Sequence, residues 1–244
     1  MCWPTAHRPA PSGHGAPATL TWVNSAGANE KQGGTSVNER AVYSATKRTL
    51  DILGAGMALA VSSPLLLPVA LAIRWRMGSP VLFRHPRPGY RERRFDCLKF
   101  RTMTGARDSN GRLLSDQERL TPLGLFLRRF SLDELPQFWN VLKGEMTLVG
   151  PRPLEIRYLP RYSAEQRRRH DVKPGITGWA QVNGRNAIDW DTRLALDTWY
   201  VDHRGLWLDL KILALTARRV LSGHGISQAG HATMSEFEGT GGSV

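Results

Sequence analysis

The stretch Phe130-Ser-Leu-Asp-Glu-Leu-Pro-Gln137 combines a helix-start pattern with two adjacent carboxylates. Ser131 and Glu134 have the spacing of a capping box, in which the two side chains satisfy free N–H groups at a helix N-terminus. Pro136 permits a later start, with the proline as the first helical residue. Both alternatives place Asp133 and Glu134 at a helix N-terminus, where the helix dipole favours carboxylates and phosphates. An ordinary helix start would have the same residues, so the flanking sequence is needed to distinguish a functional site from a helix start.

The composition indicates a protein with anionic partners. The chain has 244 residues, with 33 Lys and Arg against 21 Asp and Glu, a formal net charge of +12. So basic a chain favours nucleic acid, an anionic membrane surface or phosphorylated substrates as partners. The two cysteines, Cys2 and Cys97, exclude a disulfide framework and a Cys-rich zinc site. The seven histidines show no metal-ligand spacing, and there is no P-loop and no G-x-S-x-G sequence.

A polar N-terminal region precedes a segment with the composition of a membrane helix. Residues 1–40 are rich in Gly, Ala, Pro, Ser, Thr and Asn, which predicts a disordered tail. Within residues 41–77 no charged residue occurs between Ile52 and Ile73, a run long enough to cross about 30 Å of hydrocarbon. Lys47-Arg48 precedes the run and Arg74 follows it, so both flanks carry the positive charge typical of cytoplasmic ends.

Prolines at the centre of this run argue against a straight spanning helix. Pro64 removes a backbone N–H and leaves the carbonyl of Ala60 without its helical partner, and Pro68 repeats the effect one turn later. The hydroxyls of Ser62 and Ser63 could satisfy part of this loss. A break at Ser63-Pro64 between two basic flanks predicts a re-entrant hairpin that enters and leaves one leaflet. A kinked transmembrane helix is the alternative.

Residues 78–222 are predicted to form a cytosolic catalytic domain of the α/β class, compact and helix-rich with short strands. Residues 105–119 are predicted to be a loop, and residues 223–244 a Gly- and Ser-rich tail. Amphipathic helices such as residues 206–221 could lie on a membrane surface. Apolar runs bounded by turn residues predict strands at residues 79–85, 95–103 and 147–149.

Two helices are predicted around the central stretch. Thr121-Pro122 has the pattern of an N-cap followed by proline at the first helical position. The helix that follows the central stretch should end at Lys143-Gly144, because glycine favours the left-handed conformation of a helix C-terminus. The first of these helices has an apolar stripe of Leu123, Phe126, Leu127 and Phe130.

Cations on both sides of the central stretch could bind phosphate. Lys99 and Arg101 are two residues apart on a predicted strand, so they should point to the same face and suit a diphosphate. A solvated strand face near anionic lipid is the alternative. Pro151 and Pro153 fix the backbone around Arg152. A guanidinium held in this way fits bidentate phosphate recognition. The alternative is a rigid loop whose arginine is merely exposed.

Over about residues 41–238 the sequence closely resembles the bacterial sugar transferases, the monotopic phosphoglycosyl transferases. The matching motifs occur in the family's order along the chain. They are Lys47-Arg-Thr-Leu-Asp51, the Ser63-Pro64 break, Lys99-Phe-Arg-Thr-Met103, Ser131 to Gln137, Asn140-Val-Leu-Lys-Gly144, Gly150-Pro-Arg-Pro153, Lys173 to Asn186, Trp199-Tyr-Val201 and Gly225 to Met234.

The resemblance implies transfer of a sugar-1-phosphate from a UDP-sugar to polyprenyl phosphate, with release of UMP. The site would face the cytoplasm at the inner leaflet of the bacterial cytoplasmic membrane. By the resemblance, Asp133 is the nucleophile of a phospho-sugar-aspartyl intermediate, Glu134 is its partner, and Mg²⁺ is the cofactor bound by these carboxylates. Arg128, Arg152 and Arg185 match positions that bind phosphate and substrate. No nucleic acid partner is expected, and a homo-oligomer is compatible with the family.

Two other functions compete with this interpretation. Asp133 and Glu134 could be the acid/base pair of a conventional glycosyltransferase or hydrolase, but adjacent helical residues do not face each other. A non-catalytic basic protein would explain the charge, but not the central stretch or the rigid Arg152. For the transferase, Asp133 is expected to be ionised, because a helix N-terminus, Arg128 and Mg²⁺ all favour the anion.

Overall fold

A 41-residue helix, α1 (Val37–Met77), opens the part of the chain described by the computed structural model, which covers residues 37–184, 188–222 and 236–239. The predicted tail at residues 1–40 lies outside these residues except for its last four, which begin α1. The helix is long and apolar enough to cross a membrane by length and composition, and 11% of its most apolar window is buried. From Ala41 onward it belongs to the same compact unit as the elements that follow it.

The remaining elements are short helices and strands, which confirms the predicted α/β, helix-rich class. The strands are β1 (Leu82–Pro88), β2 (Arg94–Phe100), β3 (Thr147–Val149) and β4 (Gly175–Thr177). The helices after α1 are α2 (Asp116–Arg119), α3 (Pro122–Arg129), α4 (Gln137–Lys143), α5 (Ala164–Arg167), α6 (Trp179–Asn183), α7 (Trp190–His203) and α8 (Leu206–Ser222). Single 3₁₀ turns occupy Tyr90–Glu92, Leu132–Glu134, Ile156–Arg161 and Arg168–Asp171.

The strands form two small sheets. β1 and β2 pair antiparallel, with Leu82 opposite Phe100 and Pro88 opposite Arg94. β3 and β4 pair parallel. The first predicted strand is therefore displaced by three residues toward the C-terminus, and the predicted loop at residues 105–119 contains α2, which begins at a capping box on Ser115.

The centre of α1 differs from the predicted break. The helix continues without interruption through Pro64 and Pro68. The Ser63 hydroxyl donates to the carbonyl of Ala60 at 2.8 Å, which is the carbonyl that Pro64 leaves without a partner. The expected compensation by serine is thus confirmed, and it explains how helical structure persists across the prolines.

Both halves of α1 pack on the same domain. In the N-terminal half, the Asp51 carboxylate accepts hydrogen bonds from the Thr147 hydroxyl (2.6 Å) and the Leu148 N–H (3.0 Å) of β3. In the C-terminal half, Ile73 is fully buried in a cluster with Phe100 of β2 and with α3. The apolar helix is therefore fastened to the domain at two places, on either side of its prolines.

The C-terminal region contains an ordered anchor. Phe237 is buried among aromatic side chains, with its ring centroid 5.4 Å from that of Trp190 and 5.5 Å from that of Tyr162. Glu236 forms ion pairs with Arg157 (3.3 Å) and with Arg161. The predicted tail at residues 223–244 is therefore wrong for residues 236–239, because a single aromatic residue in a polar segment can fill a core site that composition does not reveal.

Candidate active site

The central stretch forms a sharp turn between α3 and α4. Ser131 adopts the left-handed conformation (φ 55°), and the 3₁₀ turn Leu132–Glu134 follows it directly. α4 then begins at Gln137, with Pro136 as its N-cap. The predicted capping box is therefore wrong. Ser131 makes no side-chain cap, and the two carboxylates lie in the turn before the helix rather than in its first turn.

Glu134 is held by two cations from distant parts of the chain. Lys99 Nζ donates to Glu134 Oε1 at 2.7 Å. The Arg152 guanidinium grips the same carboxylate with both terminal nitrogens, Nη2 to Oε1 and Nη1 to Oε2 (3.4 Å). Burial alone would raise the pKa of Glu134, but the charges of Arg152 and then Lys99 outweigh it and hold the pKa far below its ordinary value. Glu134 is thus a permanent anion.

Asp133, the neighbouring carboxylate, has the opposite environment. It is 7% exposed, and within the described part of the chain no hydrogen bond or ion pair engages its carboxylate. Burial first, and the negative charge of Glu134 second, raise the pKa of Asp133, while Lys99, Arg128 and Arg152 partly offset the rise. The protein groups around Asp133 therefore favour its neutral form more than an exposed position would, and its ionisation with Mg²⁺ bound stays a prediction.

The position of Lys99 depends on Asn140, a fully buried residue of α4. The Asn140 side chain accepts a hydrogen bond from the Leu98 N–H (3.0 Å) and donates to the Asp96 carbonyl (2.8 Å). These bonds fasten β2 to the helix that follows the Asp133–Glu134 turn, so the next residue of β2, Lys99, meets Glu134. Asn140 is part of a motif named in the sequence analysis, but the hydrogen bonds of its side-chain amide connect residues more than 40 positions apart. A sequence pattern does not reveal such contacts.

The position of Arg152 depends on a buried ion pair that the sequence analysis did not identify. Arg169 donates to the Arg152 carbonyl at 2.7 Å and to Asp197 Oδ2 at 2.7 Å, and also contacts the Tyr162 hydroxyl (3.3 Å). Arg169 and Asp197 are almost fully buried. Arg169 belongs to a run of three arginines, which reads as a solvated surface, so only the fold reveals its role.

The other predicted binding residues have different outcomes. Arg128 lies near enough to lower the pKa of Asp133, and its Nε donates to the Thr102 hydroxyl at 3.1 Å. Arg101 lies one residue beyond the end of β2, so the strand predicted to reach residue 103 is too long, and the Arg101 guanidinium donates to the carbonyls of Met103 (2.9 Å) and Ser79 (3.0 Å). Its role in binding a diphosphate with Lys99 stays a prediction. Arg185 lies outside the described residues.

The donor set of the turn fits a magnesium ion held by one carboxylate. Mg²⁺ in phosphate chemistry needs one or two carboxylates, with substrate phosphates and water completing six ligands. Asp133 offers a carboxylate that the described residues leave unengaged, whereas the Glu134 oxygens accept hydrogen bonds from Lys99 and Arg152. No group of three or more potential metal-ligating side chains converges anywhere in residues 37–184, 188–222 and 236–239. Asp133 is therefore the stronger metal candidate of the predicted pair.

This geometry, a buried carboxylate beside a second one neutralised by Lys and Arg, agrees with a family match. The sequence profile described as bacterial sugar transferase matches residues 42–223. The chain belongs to the bacterial sugar transferase family.

Individual relatives of this sugar transferase cover it to different extents. It is 53% identical over 195 residues to the uncharacterized sugar transferase EpsL of Bacillus subtilis, over 80% of this chain and 96% of EpsL. It is 42% identical to the undecaprenyl-phosphate galactose phosphotransferase of Salmonella typhimurium, over 72% of this chain but 40% of that protein. It is 40% identical to the UDP-glucose:undecaprenyl-phosphate glucose-1-phosphate transferase of Xanthomonas campestris, over 79% of this chain and 42% of that protein. The chain thus spans less than half the length of the relatives whose names state a reaction.

Replacing Asp197 by Asn tests the buried pair. The change leaves Arg169 as an uncompensated buried cation, so we expect the free energy of unfolding to fall by about 3–5 kcal/mol, measured by denaturation in detergent micelles. Asp202→Asn is the matched control, because Asp202 pairs with Arg168 at the surface and should change stability far less. The double variant Arg169→Met/Asp197→Leu should recover much of the loss. An equal loss in Asp197→Asn and Asp202→Asn would contradict this assignment.

Proposed function

We propose that this sugar transferase moves a sugar-1-phosphate from a UDP-sugar to undecaprenyl phosphate and releases UMP. The observation that carries the proposal is the unlike pair in the turn: Asp133 is buried with its carboxylate unengaged among the described residues, while the next residue, Glu134, is fully committed to Lys99 and Arg152. The names of the Salmonella and Xanthomonas relatives supply the substrates and the class of reaction.

The chemistry has two displacements at one phosphorus atom. In the first, an Asp133 oxygen bonds to the sugar-linked phosphorus of the UDP-sugar, the bond from that phosphorus to the bridging oxygen breaks, and UMP leaves with the electron pair. In the second, a phosphate oxygen of undecaprenyl phosphate attacks the same phosphorus, and the Asp133 carboxylate leaves. The products are undecaprenyl diphosphate sugar and the free enzyme, so no oxidant, reductant or added water is needed. Carboxylates act as covalent phosphoryl acceptors in other enzymes.

The surrounding charges address the main obstacle to this attack. An anionic nucleophile and an anionic diphosphate at 4 Å repel by about 4 kcal/mol at an effective dielectric near 20. Lys99, Arg152 and Arg128 all act on Asp133. Together with Asp133 and Glu134 they form a cluster in which cations outnumber carboxylates by three to two. Arg152, which is fixed through its backbone by Arg169, can present its guanidinium to the diphosphate.

Mg²⁺ is part of the proposal, bound by Asp133 together with the diphosphate. When bound, it neutralises charge on the phosphate oxygens and on the departing UMP. The chain's own contribution is to hold Asp133 in a buried turn and to keep Glu134 from competing for the ion.

The pair is poorly suited to the alternative acid/base mechanism. With Asp133 as the acid, Glu134 would have to be the base, but both of its oxygens accept hydrogen bonds from Lys99 and Arg152, and its pKa is held too far below neutral pH for it to bind a proton readily. The two carboxylates are also adjacent in one turn, whereas those of glycosidases face each other across the substrate. Asp133 therefore remains as the reactive group.

The covalent step is tested without the lipid acceptor. We expect the protein with Mg²⁺ and its UDP-sugar alone to release up to one equivalent of UMP, measured in solution. The protein should also gain the mass of one sugar phosphate, measured by mass spectrometry of the intact chain. Asp133→Asn should abolish the release and the adduct, because an amide is a poor nucleophile. Glu118→Gln is the matched control, because Glu118 only closes the capping box of α2. If UMP appears only after undecaprenyl phosphate is added and no adduct forms, direct transfer is the better account.

The pH dependence of adduct formation should report the ionisation of Asp133. The attacking form is the anion, so the rate is retained above the pKa of Asp133 and is lost as pH falls through it, at a higher pH than for an ordinary aspartate because burial and Glu134 raise that pKa. Lys99→Met removes a cation and should move the acid limb to higher pH. Glu134→Gln removes an anion and should move the limb to lower pH. Shifts in the same direction would contradict the assignment of this limb to Asp133.

We further propose that α1 is a re-entrant membrane helix at the bacterial cytoplasmic membrane, with both ends and the catalytic domain on the cytoplasmic side. Ala55 and Ile73 would lie about 27 Å apart on a straight helix. They belong to core clusters that also contain Cys97 and Phe100 of β2, which are only about 10 Å apart along the strand. This short separation, together with Pro64, supports a bend of α1 within one leaflet.

The native Cys2 is a reporter for this topology. In intact spheroplasts we expect a membrane-impermeant maleimide to leave Cys2 unlabelled and to label it after permeabilisation, with Cys2→Ser as the control for specificity. Replacing Ser63 by Leu and Pro64 by Ala should straighten α1 and expose Cys2 to the periplasm. Labelling of Cys2 in intact spheroplasts carrying the unmodified protein would exclude the re-entrant arrangement.

A further inference from the structure

Helix α3 presents two phenylalanines to the outside directly before the Asp133–Glu134 turn. Phe126 is 52% exposed and Phe130 is 48% exposed, and both belong to the apolar stripe of this helix that the sequence predicts. Their ring centroids are 5.0 Å apart, so they form one aromatic surface. The helix is buried on its other side, where Leu127 is fully enclosed. The exposed phenylalanines are thus additional to the core rather than a part of it.

Cations border this aromatic surface on the side of the reactive carboxylate. The Arg129 guanidinium lies over the Phe130 ring, with its central carbon 5.8 Å from the ring centroid. Arg128, one residue earlier, is half-buried and acts electrostatically on Asp133. Phe130 and Asp133 are three residues apart, which limits their Cα separation to about 11 Å. An aromatic surface, two arginines and the proposed nucleophile therefore lie within eight consecutive residues of the chain.

The same helix adjoins the apolar helix α1. The cluster beneath α3 joins Leu127 to Val69 and Ile73, which lie in the C-terminal half of α1. Leu67 and Leu71 of that half are more than half exposed. An apolar chain lying along the C-terminal half of α1 would therefore lie next to the helix that carries the aromatic surface.

We propose that the α3 surface formed by Phe126, Arg129 and Phe130 binds the lipid acceptor of the second displacement. The phenylalanine rings contact the isoprenoid units nearest the phosphate, and Arg129 pairs with that phosphate before it reaches the phosphorylated Asp133. This inference rests on the proposed function, because it assigns residues to a substrate of that reaction. It adds an acceptor site outside the Lys99, Glu134 and Arg152 cluster.

The chemistry of the surface selects this occupant over the UDP-sugar. A UDP-sugar has two phosphates and no hydrocarbon tail, and although its uracil base can stack on one aromatic ring, it has no apolar chain to cover both phenylalanines. Undecaprenyl phosphate has a single anionic head on a long apolar chain, which matches an aromatic pair edged by arginine. General contact with the bilayer would use the rings equally but would not favour the acceptor over other lipids.

The two displacements separate this assignment from a role in the first step. In Phe126→Ala/Phe130→Ala, we expect the adduct and the UMP release without acceptor to stay at wild-type levels. Transfer from the adduct to limiting undecaprenyl phosphate should slow by about tenfold, the scale expected when two half-covered aromatic side chains lose their lipid contacts. Arg129→Ala should slow the same step. Trp207→Ala is the matched control, because Trp207 is an exposed aromatic on α8 and should leave transfer unchanged.

Binding of undecaprenyl phosphate to the unreacted protein in mixed micelles provides a readout that needs no turnover. The double variant should bind it about tenfold more weakly than wild type and the Trp207→Ala variant, with all three proteins melting at similar temperatures. Unchanged transfer and binding in the double variant would reduce the rings to bilayer contact and overturn the assignment, as would loss of the adduct itself. If wild type forms no adduct, the covalent mechanism fails, while the binding comparison still decides whether α3 holds the acceptor.

Discussion

The carboxylate of Glu134 lies between Lys99 and Arg152, and the arrangement of the site depends on this three-member cluster. The two cations come from segments that precede and follow the central stretch, so the cluster forms only when β2, the turn and the loop after β3 have assembled. Each member is half-buried, and removing either cation would leave the carboxylate short of the charge that offsets its burial. The same interaction gives two adjacent acids different chemistry: Glu134 is locked as an anion, and its negative charge helps to raise the pKa of Asp133.

Both cations are held in turn by buried polar groups. Asn140 fastens β2 next to Lys99, and Arg169 holds the backbone of Arg152 while it is neutralised by Asp197. Buried polar groups of this kind contribute little net stability, but they permit few alternative arrangements, because each misplacement leaves a donor or charge unpaired. Such a scaffold suits the proposed reaction, in which the Asp133 carboxylate bonds to one phosphorus atom in the first step and leaves it in the second.

The sequence predicted the features that local chemistry determines. Thr121 caps α3 as its position before Pro122 indicated, and Gly144 ends α4 with φ at 83°, a conformation that glycine adopts without strain. The phosphate-binding roles of Lys99 and Arg152 stay predictions, and their contacts with Glu134 were not predicted. Family motifs identified Asp133 and Glu134, because the resemblance carries roles that spacing alone leaves open.

Sequence reasoning was wrong where long-range contacts override local pattern. The Ser131 capping box fits the spacing rule, but the Glu134 side chain gains more from two cations, which come from residues 35 and 18 positions away. Arg101 shares the strand periodicity of Lys99, yet the strand ends before it. The apolar stripe predicted for α3 is present, but its period does not show that Leu127 is enclosed by the protein while Phe126 and Phe130 remain about half exposed.

The contacts of α1 with the domain also bear on its membrane topology. Lys47 and Arg48 counted as cytoplasmic flank charges in the sequence, but Lys47 pairs with the buried Asp209 at 2.7 Å, and Arg48 donates to the last carbonyls of α4 at 2.6 and 2.8 Å. These cations are therefore largely committed to the protein and contribute less to attraction by anionic lipid than the exposed Arg74 does. The position of α1 depends instead on its contacts with the domain. The N-terminal half of α1 is bonded to α4 and β3, the elements that flank the Glu134–Arg152 contact, while its C-terminal half packs on β2 and α3. Contacts of both halves of α1 with one compact domain oppose a placement of its two ends on opposite sides of a bilayer, so domain packing supports the proposed re-entrant arrangement independently of the flanking charges.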